Sequence, residues 1–161
     1  MASESNAMKV WAFQTVCSDR WRSLIERTPD GLYCRAAKAW VDPWRPVPRA
    51  LITHAHADHA RPGCGEYWAV ASSEGVLRQR LGQDITLHPV VYGEEHWLGQ
   101  CKVSFHSAGH VLGSAQIRLE SEGEVWVVSG DYKRDDDPSC DPFEPVRCDV
   151  LITEATFGMP I

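Results

Sequence analysis

No stretch of this 161-residue chain approaches the ~20 apolar residues that a membrane-spanning helix needs. The apolar start Met8-Lys9-Val10-Trp11-Ala12-Phe13 is broken by Gln14, too early for the core of a secretory signal. Ser5-Asn6-Ala7 ahead of Met8 resembles what removal of an expression tag leaves, so residues 1–7 are set aside and Met8 is the expected native start. A soluble, cytoplasmic protein is expected. No two of the six cysteines are spaced C-x-x-C, which argues against a structural zinc knuckle and leaves free buried thiols as the expectation. Positive charge is also short. Sixteen Lys and Arg stand against 22 Asp and Glu, a net charge of −6. That excludes a generic basic nucleic-acid coat, which grips phosphates through clustered cations, but not a nucleic-acid enzyme, where the local field of a site decides. There is no internal repeat and no low-complexity segment.

With 43% hydrophobic residues, the chain has enough apolar content for one packed domain. Asp42-Pro43-Trp44-Arg45-Pro46-Val47-Pro48 reads as a stiff connector, because each proline fixes φ and lacks a donor. Ala50–Thr53 and Val150–Thr153 read as short buried strands, and further strands are expected at 67–71, 85–91, 102–106, 115–120 and 124–129. Ser121-Glu122-Gly123 is a hairpin signal between the last two. Ser72 or Ser73 is the expected cap of a helix reaching Leu81 and ending at Gly82. The expected class is α/β, with many strands and few helices.

One segment dominates the chemistry. His54-Ala55-His56-Ala57-Asp58-His59 places three of the seven histidines and an aspartate within six residues. Neutral imidazole and carboxylate are good ligands for zinc and similar ions. In an extended segment His54 and His56 point to one side, while Asp58 and His59 then turn the chain and can address a second ion. Four ligands from one turn would be strained, so partners are expected elsewhere. Gly109-His110-Val111-Leu112-Gly113 offers a histidine between turn-forming glycines, and Ser129-Gly130-Asp131 puts a carboxylate at a strand end.

The set His54-x-His56-x-Asp58-His59, His110 and Asp131 resembles the metal-binding pattern of the metallo-β-lactamase superfamily. Gly109–Ala115, Ser129-Gly130-Asp131-Tyr132 and Thr153-Glu154-Ala155-Thr156-Phe157-Gly158 resemble its β-CASP nucleases. Within that group, Gly31-Leu32-Tyr33-Cys34, Val41-Asp42-Pro43-Trp44 and Asp131-Tyr132-Lys133-Arg134 are most similar to bacterial ligase-associated DNA exonucleases. The resemblance covers roughly residues 23–161. It implies an αββα sandwich of which this chain holds the first half, with residues 8–161 forming its N-terminal part and stopping near the start of the β-CASP region. A half sandwich is expected to expose an apolar sheet face and to self-associate.

The resemblance also implies roles. His54, His56 and His110 would hold a first zinc ion, Asp58 and His59 a second, and Asp131 would bridge both. Asp42 would orient a ligand histidine by accepting its free N–H. Glu154 would support a downstream histidine serving the leaving group. Asp58, Asp131 and Glu154 are thus the expected catalytic carboxylates. Two zinc ions would activate water for attack on a phosphodiester. The implied activity is exonucleolytic, on DNA rather than RNA, in DNA repair, with a DNA ligase and a helicase as functional associates. Lys133 and Arg134 are either surface residues or phosphate contacts. His88 and His96 are expected at the surface or core edge, and His106 is expected away from the site. The chain by itself is expected to be a weak nuclease or inactive, and a small-molecule metallohydrolase and a non-catalytic metal-binding fragment are the alternatives.

Overall fold

A computed structural model describes residues 23–154. Two sheets lie face to face. The first has six strands: β1 (Ile25–Thr28), β2 (Gly31–Cys34), β3 (Ala39–Val41), β4 (Arg49–Leu51), β5 (Glu66–Val70) and β6 (Leu87–Val90), side by side in chain order. β1, β2 and β3 pair antiparallel, and β3 to β6 pair parallel. The second has the order β11-β10-β9-β8-β7, from β7 (His96–Leu98), β8 (Cys101–Ser107), β9 (Ala115–Ser121), β10 (Glu124–Val128) and β11 (Val150–Ile152). Only β10 and β11 pair parallel there.

The alternation of side chains along each strand builds the layers. Leu32, Val41, Leu51 and Val90 from the first sheet meet Val103, Phe105, Ile117, Leu119, Val128 and Ile152 from the second in one core. On its other face the first sheet carries Ala50, Tyr67 and Ala69, which pack with Leu77 of the helix α1 (Glu74–Leu81). The order helix, sheet, sheet is therefore three successive layers of the αββα arrangement.

The apolar face expected of a half sandwich is absent among the described residues. The outer side of the second sheet presents Lys102, His106, Gln116, Arg118 and Glu120, and its two exposed apolar side chains, Trp97 and Leu151, stand on opposite edge strands. Between them the chain crosses back over the sheet. Gln116 donates to the Glu144 carbonyl at 2.6 Å and Ser107 to that of Asp141 at 2.9 Å. Val127 and Ser104 are buried although they point outward.

Other expectations shift in detail. The strand expected over 50–53 ends at Leu51, where β4 gives way to the histidine-rich turn. Ser73 stands at the helix N-cap, but its hydroxyl turns back to the Val70 carbonyl at 2.7 Å and caps nothing, because a 3-10 turn over Ala71–Ser73 precedes the helix. Among the described cysteines only Cys34 and Cys101 are buried; Cys64, Cys140 and Cys148 are half-buried. Residues 1–22, with the expected native start, and 155–161, with most of the Thr153–Gly158 motif, lie outside the described residues.

Candidate metal centre

Four loops bring the candidate ligands to one end of the sandwich. Asp42 follows β3, His54 to His59 follow β4, His110 follows β8 and Asp131 follows β10. β3 and β4 run parallel, and β8 and β10 run the same way because each is antiparallel to β9. Their C-terminal ends therefore coincide by topology. Backbone bonds then fasten the loops together. The Ala115 N–H donates to the Thr53 carbonyl at 2.7 Å, tying one sheet to the other, and the Lys133 N–H donates to the Ala108 carbonyl at 3.0 Å. Ser114 Oγ accepts from the N–H groups of His110 and Val111, at 3.0 and 3.2 Å, which shapes the histidine loop.

Two glycines make the close approaches possible. At Gly109, φ is +68° and a Cβ would lie 2.3 Å from the Lys133 carbonyl oxygen. At Gly130, φ is +57° and a Cβ would lie 2.7 Å from both Cβ and Oγ1 of Thr53. Any larger residue would push His110 or Asp131 away from the His54 turn.

His54, His56, His110 and Asp131 each offer a ligand atom, and these atoms all lie within 4.8 Å of one another. The expected first ligand set is thus brought together. His54 Nε2 is 3.0 Å from His56 Nδ1 and 3.8 Å from Asp131 Oδ2, and His110 Nε2 is 3.9 Å from that oxygen. Asp131 turns its other oxygen to His59, with Oδ1 3.2 Å from His59 Nε2, and Asp58 Oδ2 is 3.7 Å from the same nitrogen. One carboxylate therefore faces both groups of histidines, with Asp58 on the more open side.

The residues fit a metal ion on two counts. The donor set is three imidazoles and a carboxylate, the ligand types of zinc. In addition, the buried Nε2 of His110 has no hydrogen-bond partner, a state that a buried polar atom seldom keeps without an unseen ligand. Electrostatics favour the ligand form of the rings. Burial pushes the His54 pKa down to about 3; the His59 and His56 rings act in the same direction, against Asp42 and Asp131. Burial lowers His110 too, against the charge of Asp131. Both imidazoles are neutral at pH 7, so their lone pairs are free for a cation.

Asp42 is buried at φ +43°, a strained conformation for a residue with a side chain. Its Oδ2 lies 2.7 Å from Nδ1 of His59, and its Oδ1 accepts from the Thr53 N–H at 2.8 Å. Thr53 was not singled out from sequence; its one signal is its place between an apolar strand and the first histidine. Glu154 is half-buried, close enough for its charge to raise the His110 pKa against burial.

The remaining candidates are elsewhere. His88 stacks on Trp68 at 4.5 Å and pairs with Glu66 at 3.1 Å; His96 lies 3.5 Å from Glu94. His106 pairs with Glu144 at 2.9 Å on the outer face of the second sheet. Lys133 is held by Asp137 at 3.1 Å, whereas Arg134 is exposed and lines a groove with Tyr132, Phe143 and Leu151.

No family model matches the chain. It is 33% identical over 132 residues to a probable DNA ligase of Opitutus terrae, covering 81% of this chain and 13% of that protein. It is 33% identical over 139 residues to the ribonuclease TTHA0252 of Thermus thermophilus, covering 70% of this chain and 32% of that enzyme. A solved B3 metallo-β-lactamase with an active-site glutamic acid aligns with 65% of this chain and 56% of its own, at 17% identity and a TM-score of 0.48. The relatives, together with the histidine motif, support a place for the chain in the metallo-β-lactamase superfamily, with its β-CASP nucleases. It spans a minor part of the two curated relatives, 13% and 32% of their lengths. Among the described residues no helix is long and apolar enough to cross a membrane.

Proposed function

We propose that this chain carries the metal centre of a phosphodiester hydrolase acting on nucleic acid, with zinc at the centre and DNA ends as substrate. The observation that carries the reading is the convergence of His54, His56, His110 and Asp131 within 4.8 Å, with Asp131 also 3.2 Å from His59. His54, His56, His110 and Asp131 would hold one ion, and Asp58, His59 and Asp131 a second. When bound, the ions supply Lewis acidity that activates water and offsets the charge developing on the phosphate.

The chain's own groups do the rest. Asp131 faces both sets of imidazoles and holds them in one frame. Asp42 fixes His59 with its ring nitrogen toward the cleft. Asp58, with its side chain 52% exposed, would accept a proton from attacking water. Of the two candidate cations Lys133 and Arg134, Arg134 is the one that would meet substrate phosphate, because Lys133 is engaged by Asp137. Glu154, near His110, fits a supporting role toward the leaving group. Cleavage from DNA ends, in repair alongside a ligase and a helicase, is the reading favoured by the family resemblance and by the relative named as a probable DNA ligase. The ribonuclease relative favours RNA instead.

One assay tests both. A zinc-loaded full-length protein carrying this chain is given end-labelled DNA and RNA of the same sequence, with and without chelator. Chelator-sensitive release of nucleotides from DNA is the expected result. Activity on RNA alone would move the substrate to RNA, and equal activity of His56→Ala would remove the metal centre from the reaction.

A further inference from the structure

Thr53 is 1% exposed, wedged between the two sets of ligands. Its hydroxyl oxygen lies 2.6 Å from Asp42 Oδ2, 3.1 Å from His54 Nδ1 and 3.4 Å from His59 Nδ1. A hydroxyl has one proton to give and two lone pairs to receive with. Of the three neighbours only the carboxylate oxygen is an acceptor in every tautomer, and 2.6 Å is the length of a charge-assisted O–H···O bond. The proton goes to Asp42. Two N–H groups remain to be placed. His59 Nδ1 is 2.7 Å from the same Asp42 oxygen, so it donates there rather than to the hydroxyl 3.4 Å away. The Nδ1–H of His54 then donates to the lone pair of Thr53.

We infer that Thr53 is a positioning residue that extends the hold of Asp42 to His54, fixing His54 as the Nδ1–H tautomer with Nε2 turned toward the ion. One buried carboxylate then orients a histidine of each half of the centre, His59 directly and His54 through the hydroxyl. The backbone keeps the hub in place. The Thr53 N–H donates to Asp42 Oδ1 and its carbonyl accepts from Ala115, so β3, β4 and β9 all fix the position of Oγ1. Bare Gly130 is what leaves room for the hydroxyl beside Asp131. The inference rests on the metal reading above, but not on the identity of the substrate.

The test begins with the wild-type chain free of metal, where long-range 1H–15N NMR reads each imidazole tautomer. Nδ1 protonation of both His54 and His59 is expected; a His54 protonated at Nε2 overturns the proposal. Thr53→Val and Thr53→Ser are then titrated with zinc against a competing chelator. Loss of the hydroxyl should weaken zinc binding at the His54 set by about 10–100-fold, the usual effect of removing a partner behind a ligand histidine. It should also mix the His54 tautomers and leave His59 unchanged. Thr53→Ser should restore both. Wild-type affinity and tautomer in folded Thr53→Val would refute the role. If the valine variant does not fold, the serine variant and the wild-type tautomers still decide. A full-length protein that meets these expectations yet cleaves no nucleic acid would disprove the proposed function and leave the role of Thr53 standing.

Discussion

Replacing Gly130 by alanine separates two costs that are usually confounded. Alanine at φ +57° carries a conformational penalty of about 1–2 kcal/mol, because a Cβ crowds the backbone in the left-handed region. At this position it also lands 2.7 Å from Cβ and Oγ1 of Thr53 and 3.0 Å from its Cγ2. Thr53 is buried and bonded through its backbone N–H, carbonyl and hydroxyl, so it cannot move aside cheaply. Overpacking of this kind costs about 1–3 kcal/mol more. Gly123 provides the control. It has φ +82° in the β9–β10 hairpin, and a Cβ there meets nothing within 4 Å. Gly123→Ala should therefore lose only the conformational part, and Gly130→Ala should be less stable than it by about 1–3 kcal/mol. Urea unfolding of both variants with unchanged m-values measures the difference. The same substitution displaces Asp131 relative to Thr53, so zinc affinity should fall in Gly130→Ala and hold in Gly123→Ala. Equal unfolding free energies and equal zinc affinities in the two variants would refute the argument that Gly130 is required for the approach of the two loops.

Other expectations follow from the same geometry. Asp131→Asn should stay as folded as wild type by circular dichroism yet bind both zinc ions more weakly, since a neutral amide bridges two cations poorly. Elemental analysis should find most zinc lost from His56→Ala and none lost from His88→Ala or His96→Ala, whose rings lie against Trp68, Glu66 and Glu94. Arg134→Ala should raise the DNA concentration needed for half-maximal cleavage and flatten its salt dependence more than Lys133→Ala does, because the Lys133 charge is already met by Asp137.

The ligand cluster was legible because metal chemistry needs particular residue types, and His54 to His59 announce them within one turn. Long apolar runs were legible for the same kind of reason: β8, β9 and β10 are five to seven residues each and strongly patterned. β1, β2, β3 and β7 were not anticipated. They are three or four residues long, and Glu26, Arg27, Tyr33 and His96 interrupt the apolar pattern. Their pairing is set by neighbouring strands rather than by local preference. The polar outer face of the second sheet was missed because it depends on chain lying over it from more than twenty residues away, which no window of sequence reveals. Thr53 was missed because its importance is entirely relational: a threonine after a strand is ordinary until Asp42, His54 and His59 are seen around it.

The architecture explains why so many loops can share so small a centre. Asp42 and the His54 turn leave adjacent parallel strands of one sheet, while His110 and Asp131 leave two co-directional strands of the other. Each sheet alone contributes an incomplete set: one lacks His110 and Asp131, the other lacks every group between Asp42 and His59. The donors meet only when Val41 and Leu51 of the first sheet pack against Phe105, Ile117 and Val128 of the second. The bond from Ala115 to Thr53 lies across that seam, one residue from His54. Ligand geometry is therefore a property of sheet-on-sheet packing, and a cavity opened in the core between the sheets would reach the metal centre by moving one half of the donor set against the other.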